Sequence, residues 1–392
     1  MSAGLEFPDP GPQARAHSAR VLEQIRAAID ASGGCLEFAS YRERARDAPG
    51  LGSSSAGARK CGSAGECITA PEAAPLFSRC LALQGAEVQQ HLGRSALLEF
   101  GAGSGAMAAA LLRELERQGS LPERYLILEV SGELRERQRC ALQASVPELA
   151  GRVAWLDRLP RDFTGTVLAN EVLDAMPFER FAVRGGELRR LGVTWRGSGL
   201  DWADQPPTRA LEAAVRRIEL QRGEVFPEGY VSELNLRLPS WFAAIGEAVA
   251  AGVLLFIDYG LPQRELYAQQ RRSGTMLCHY RHRAHEDPFF MPGLQDITAW
   301  VDFTAVAEAA TTSGLELAGY TTQAHFLIAN DIARLVAEGG DAELPERLAL
   351  AREARLLTLP GEMGERFKVM GFTRGYDASL RGFAARDFSH QL

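Results

Sequence analysis

From Ala96 to Ala169 the chain repeats one pattern, a short apolar run followed by a stretch with helical spacing. Strands are expected at Ala96–Phe100, Tyr125–Val130, Val153–Leu156 and Thr166–Ala169. Helices are expected at Ala106–Gln118 and Ser131–Ala144, the second with Ser131 as its N-cap. Val253–Ile257 is a further buried strand, and Leu315–Tyr320 and Phe367–Phe372 are expected to pair as antiparallel edge strands. Strand–helix alternation of this kind argues for a parallel sheet covered on both faces. The fold class is therefore α/β, with a doubly wound, Rossmann-like sheet.

The rest of the chain is organised around that sheet. Val21, Leu22, Ile25 and Ile29 place an amphipathic helix over Ala14–Ala31, and Leu76–Leu92 also reads as helical. Between them, Gly50–Gly65 is mostly Gly, Ser and Ala with Arg59 and Lys60, a composition that reads as a mobile loop, either a solvated linker or a lid. About eighty residues separate the fourth strand from Val253, more than a crossover needs. They include an expected hairpin (Phe178–Val183, Gly185-Gly186, Leu188–Trp195) and a helix near Trp241–Val249. The expected division is an N-terminal helical extension with a flexible lid at 1–92, a core at 93–174 and 253–375, and a substrate-site insertion at 175–252.

Composition narrows the function classes. With 392 residues, 46% hydrophobic and 24% charged, the chain can bury a large core. A net charge of −7 lacks the Lys and Arg excess that neutralises phosphates, so nucleic acid is disfavoured despite Arg281-His282-Arg283. Six scattered cysteines suit reduced thiols rather than a disulfide scaffold, and Cys61 and Cys67 have no second pair to complete a zinc site. The first twenty residues hold no signal-like apolar core, and the apolar stretch at Val253–Ile257 is too short to span a bilayer. A cytoplasmic protein without a membrane partner is expected.

Glu99-Phe100-Gly101-Ala102-Gly103-Ser104-Gly105 follows the first of these core strands and opens a helix. Glycines there let the backbone pass close to a ligand, and the helix N-terminus offers unpaired N–H groups. With Ala106 the pattern also satisfies the dinucleotide fingerprint G-x-G-x-x-A. Acids at successive strand ends favour S-adenosyl-L-methionine instead. Glu99 is placed for the methionine ammonium, Glu129 for the ribose hydroxyls and Asp157 near the adenine. The fourth strand runs into Asn170-Glu171-Val172-Leu173-Asp174-Ala175-Met176-Pro177, polar groups that would face the transferred methyl. The same residues also read as a helix start with Asn170 as cap and Glu171 at the dipole. His279, His282 and His285 are spaced as on one helix face, but no ligand set completes a metal site, and none is expected.

Leu98–Gly105, Asn170–Pro177, Asp258-Tyr259-Gly260, Gly274-Thr275, Tyr280–Arg283 and Gly293–Thr298 with Val301-Asp302-Phe303 resemble the MidA family of class I methyltransferases over about Leu36 to Gly375. The family includes mitochondrial members that assist complex I assembly. The resemblance implies a seven-stranded methyltransferase sheet, S-adenosyl-L-methionine as cofactor, and methylation of arginine on a protein client such as a respiratory-complex subunit. Departures cluster at Ser53, Ser54 and Gly65-Glu66-Cys67, where the family tends to carry aromatics and Gly-Asp-Phe, while Thr69, Pro71 and Glu72 are retained. They would bear on closure over the cofactor.

A guanidinium stays protonated and is a poor nucleophile, so an arginine site needs carboxylates to hold it and accept a proton. Glu171 is the first choice, Asp174 the second, with Asn170 beside them at both cofactor and acceptor. Glu233 and Asp258 are weaker candidates, Glu233 being better read as an ion-pair partner. Two other classes compete: an assembly factor that keeps the cofactor fold but acts by binding its client, and a nicotinamide-dependent oxidoreductase, for which Glu129 would serve equally well. The cofactor reading predicts that Gly103→Val abolishes S-adenosylhomocysteine binding while the variant stays folded, because a branched side chain fills the space the ligand needs. Unchanged affinity by calorimetry on a folded variant would refute it.

Overall fold

The computed structural model describes residues 7–47, 70–341 and 343–392. Gly50–Gly65 and the Ser53–Cys67 departures lie outside the described residues. The apolar runs form strands: Ala96–Phe100 (β1), Tyr125–Leu128 (β2), Val153–Leu156 (β3), Phe163–Asn170 (β4), Val249–Leu261 (β5), Glu316–Thr322 (β6) and Phe367–Arg374 (β7). They hydrogen-bond in the order β6-β7-β5-β4-β1-β2-β3, with the two-residue strand Val301–Asp302 joined to the end of β5. β1 to β5 are mutually parallel, and β7 lies antiparallel between β5 and β6. The chain builds outward from β1 to β3, then returns to place β4 on the other side of β1. That reversal is the topological switch point, where open α/β sheets bind ligands at the carboxyl ends of their strands.

Two compact units are present. The sheet unit comprises Thr69–Asp174, Leu238–Pro262 and Val301–Leu392. Its core is built from Leu97, Leu111, Leu112, Tyr125, Ile127, Val253, Leu255 and Val369 with helices Pro75–Leu92 and Ala106–Arg117. Helix Leu238–Ala248 seats Phe242 against Phe256 and Phe372, with ring centroids 5.2 and 6.0 Å apart. The second unit comprises Met1–Ile68, Ala175–Arg237 and Gln263–Trp300. The expected hairpin is there as Glu179–Arg184 and Glu187–Arg196, antiparallel, and Gly199–Gln205, Cys35–Glu37 and Val231–Leu234 complete its sheet. Val21, Ile25 and Ile29 of helix Pro12–Ala31 pack with Phe38, Tyr41, Phe178 and Val193 in a separate core.

This division differs from the expected one. Helix Pro75–Leu92, placed with the N-terminal extension, joins the sheet unit because nearly every turn of it buries apolar side chains there. Helix Leu238–Ala248, placed in the insertion, joins it through Phe242, whereas 263–300, placed in the core, belongs to the second unit. His279, His282 and His285 do not share a helix face. They lie on the hairpin Leu277–Tyr280 and Arg283–His285, with Arg281 and His282 at φ 47° and 63° in the turn. Cys35, Cys80, Cys140 and Cys278 are free thiols. No helix among the described residues is long and apolar enough to cross a membrane.

Glycine sets how closely the central strands meet. Ala96, Gly165 and Gly252 lie side by side in β1, β4 and β5. A Cβ on Gly165 would stand 1.8 Å from the Ala96 oxygen, and one on Gly252 would stand 1.9 Å from the Gly165 oxygen. Both have φ of 145°, which side-chain-bearing residues rarely adopt. Gly165→Ala should therefore cost about 3 kcal/mol or more, while Gly151→Ala, in open space, should change stability by no more than roughly 0.5 kcal/mol. Urea unfolding with comparable m-values is the measurement, and equal midpoints for the two variants would contradict this account.

Candidate active site

The glycine turn leaves β1 at the switch point. Gly101, Gly103 and Gly105 have φ of 65°, 52° and 85°, so each glycine is in the left-handed region. Gly105 closes the turn by donating its N–H to the Ala102 carbonyl at 2.8 Å and caps helix Ala106–Arg117. The N–H groups of that first helical turn have no partner within the helix and suit an electron-rich ligand atom. Space beside Gly105 is limited on one side, where a Cβ would come 3.5 Å from the Cα of Gln138 in helix Gly132–Ser145.

Three acids stand around this turn in different surroundings. Glu99, 1% exposed, accepts a hydrogen bond from the Tyr125 hydroxyl at 2.6 Å. Burial pushes its carboxyl up to about 7, against the lowering effect of that hydroxyl. Glu129 directly follows β2; its Oε1 accepts the Ser131 N–H at 2.9 Å and its Oε2 accepts Gln138 Nε2 at 3.3 Å. Ser131 also caps the next helix by accepting the Leu134 N–H. Asp157 follows β3, largely exposed, with Arg135 bonded to its Oδ1 at 2.6 Å. Next to Glu129, Val130 is 86% exposed. An apolar side chain left bare beside a buried carboxylate suits a ligand with one flat apolar face and one hydroxylated edge.

Across the switch point, β4 ends in the acidic turn. No helix starts there, so Asn170 is not a cap and Glu171 does not meet a helix dipole. β4 instead runs through Asn170 into an irregular turn, with Glu171 at φ 53° and its N–H donated to the Ile257 carbonyl at 2.9 Å. What replaces the helix is Asp258, fully buried in β5. Its Oδ2 accepts the N–H groups of Leu173 and Asp174 at 3.0 and 3.1 Å, and its Oδ1 accepts the Tyr259 N–H at 2.9 Å. Burial, then the nearby Asp174 and Glu171, hold the Asp258 carboxyl well above the usual range. The Tyr259 hydroxyl donates to Asp174 Oδ2. Asn170 Nδ2 donates to Glu171 Oε1 at 3.3 Å, and Asn170 Oδ1 is buried with no hydrogen-bond partner among the described residues.

Glu171, Asp174, Asn170 and Asp258 are thus brought together. Glu233 belongs to the second compact unit, where it is paired with Arg180 at 3.0 Å and accepts the Thr275 N–H at 2.8 Å. Gly274 must be glycine there, since a Cβ would meet Glu233 Oε1 at 2.3 Å. In the sequence, Tyr125 and Val130 read only as the ends of a strand and Gln138 only as part of a helix; the strand stops at Leu128, which leaves Val130 outside it and exposed.

The Glu99 environment gives a pH-dependent expectation. Its folded carboxyl titrates near 7 against an ordinary value of 4.5, so the protonated form is favoured by folding. That contribution is complete below about 4.5 and is lost as pH rises through about 7. Glu99→Gln, a permanent mimic of the protonated form, should match wild-type stability at pH 4.5 and exceed it at pH 8 by on the order of 3 kcal/mol. Unfolding free energies of the ligand-free protein at both pH values test this; a variant less stable at pH 8 would contradict it.

The pieces fit one cofactor: a glycine turn open to a ligand, a carboxylate and a bare valine after β2, and a buried Asn170 oxygen across the switch point, unpartnered among the described residues. Comparisons with known proteins agree. Residues 80–321 match the family model described as "Putative S-adenosyl-L-methionine-dependent methyltransferase". A COG1565 superfamily member from Burkholderia thailandensis, crystallised with S-adenosyl-homocysteine bound, is 43% identical. It superposes with a TM-score of 0.93 over 99% of this chain and 100% of that one. A native structure from the same superfamily and organism gives 43% identity and a TM-score of 0.90, with the same shares covered. The Drosophila melanogaster protein arginine methyltransferase NDUFAF7 homolog, mitochondrial, is 26% identical over 96% of this chain and 90% of its own length. The nicotinamide reading is thereby set aside, and the chain belongs to this family of S-adenosyl-L-methionine-dependent methyltransferases, with the MidA-type sequence pattern.

Proposed function

We propose that the chain methylates arginine on a protein client, with Glu171 and Asp174 holding the acceptor guanidinium. The observation that carries this is the pair of carboxylates on the turn after β4, across the switch point from the glycine turn. The name of the Drosophila relative supports it. For the cofactor, Gly101, Gly103 and Gly105 make room, Glu99 faces the ammonium, Glu129 the ribose, Asp157 and Val130 the adenine, and Asn170 the methionine end. Bound there, the cofactor supplies a methyl group on a sulfonium, an electrophile that needs no enzyme nucleophile.

The protein's work is on the acceptor. A guanidinium is charged and delocalised, and its nitrogen becomes nucleophilic only as a proton leaves. A carboxylate holds it by paired hydrogen bonds, fixes which nitrogen points at the methyl, and takes the proton. Glu171 is suited to this by its left-handed backbone, which turns it off the strand axis, and by the bond from Asn170. Asp174 is held by the Tyr259 hydroxyl, and its own N–H is fixed by Asp258.

Glu171→Gln should leave S-adenosylhomocysteine affinity nearly unchanged while slowing methyl transfer by roughly 3–5 kcal/mol in barrier, or about 100- to 5,000-fold. The assay is transfer of labelled methyl to proteins of an extract from cells lacking this enzyme, followed by hydrolysis to identify the modified residue. Label in methylarginine that depends on Glu171 supports the proposal. Label on another residue type overturns the acceptor, and normal turnover with a lowered melting temperature returns Glu171 to the scaffold.

A further inference from the structure

Gln138 is fully buried in the middle of helix Gly132–Ser145, where a polar residue needs a reason. Its side chain bonds to three separate elements. Nε2 donates to the Gly103 carbonyl at 3.0 Å and to Glu129 Oε2 at 3.3 Å, while Oε1 accepts the Trp155 indole N–H at 2.8 Å. An indole nitrogen only donates, so Trp155 fixes which end of the amide it faces and turns both amide hydrogens towards the two acceptors. Glu129 is held at its other oxygen by the Ser131 N–H. Each carboxylate oxygen therefore keeps a lone pair for a ligand while its position is set by the protein.

We infer that Gln138, oriented by Trp155, is the positioning residue that aims Glu129 at the vicinal ribose hydroxyls and joins that aim to the glycine turn through Gly103. Because one amide bridges both parts, a shift of the turn is felt at the carboxylate, and selection for a ribose is built into the cofactor site. The inference rests on the reading of Glu129 as the ribose acid, and its test separates the two.

Calorimetry on the full chain with S-adenosylhomocysteine and its 2′-deoxy analogue is the measurement, for wild type, Gln138→Glu, Trp155→Phe and Glu129→Ala. Gln138→Glu keeps the shape and the bond from Trp155 but sets a second carboxyl against Glu129. It should weaken S-adenosylhomocysteine roughly 10- to 100-fold and the deoxy analogue less than about 3-fold. The lost affinity should return as pH falls from 8 to 5.5 and the facing carboxyls share a proton. Trp155→Phe frees the amide to rotate and should shift the ratio of affinities in the same direction, about 5-fold; it carries the test if Gln138→Glu does not fold. If Glu129→Ala separates the two ligands but neither other variant does, the positioning role is overturned and Glu129 stands. If Glu129→Ala does not separate them, the ribose reading of Glu129 falls and the inference with it. A lowered melting temperature with an unchanged affinity ratio makes Gln138 a scaffold residue and also overturns the inference.

Discussion

A single buried carboxylate determines the shape of the acidic turn. Asp258 accepts three backbone N–H groups, those of Leu173, Asp174 and Tyr259, and has no contact with solvent. Without it, the Leu173 and Asp174 N–H groups on the turn after β4 would be buried and unpaired, each at a cost of about 1–3 kcal/mol. With it, the chain folds back on β5 rather than continuing as a helix. Asp174 and Glu171 then stand close enough to Asp258 to raise its pKa. Crowding of like charges is unfavourable and is relieved by a cation. That arrangement suits the guanidinium acceptor proposed above.

The two sides of the switch point are organised differently. On the β1–β3 side, Glu99 and Glu129, proposed to face the ammonium and the ribose, are held by neutral or backbone donors, Tyr125 for Glu99 and Ser131 and Gln138 for Glu129, whereas the exposed Asp157 is paired with the charged Arg135. On the β4–β5 side the same task falls to acids and a tyrosine. In the proposed binding mode this division follows the cofactor, which brings its charge at the sulfonium and ammonium and presents hydroxyls and an aromatic ring elsewhere. Glycines at 165 and 252 let β1, β4 and β5 approach closely enough for the two sides to share one edge.

The sheet was legible because its strands are short, apolar and bounded by turn residues, a pattern that needs no tertiary knowledge. β3 and the Ser131 cap came out at the expected residues. Where the reading failed, the deciding partner was distant in sequence. Asp258 lies 85 residues from Leu173, so a cap-like Asn170-Glu171 looked like a helix start. The spacing of the three histidines is equally compatible with a helix or a tight hairpin, and two left-handed residues at Arg281 and His282 decided for the hairpin. Helices Pro75–Leu92 and Leu238–Ala248 were found but assigned to the wrong unit, since an amphipathic pattern reveals an apolar face and not what it packs on. Among the residues proposed for the site, acids at strand ends announced themselves; Gln138 did not, being one polar residue in a helix rich in them.

The second compact unit is assembled from three stretches of chain, and its core already needs residues as far apart as Val21 and Ile297. Within it, the Arg42 guanidinium, fully buried, donates to the carbonyl of Ile297 across 255 residues of sequence. During synthesis the helix that bears Arg42 leaves the ribosome long before that carbonyl exists. At ordinary elongation rates the delay is on the order of ten to fifty seconds. Through that interval the apolar face of Pro12–Ala31 and the Arg42 side chain have no native partners from the last stretch. Newborn chains of this enzyme therefore spend most of their synthesis time with one unit necessarily incomplete, its apolar faces waiting on the last stretch of chain.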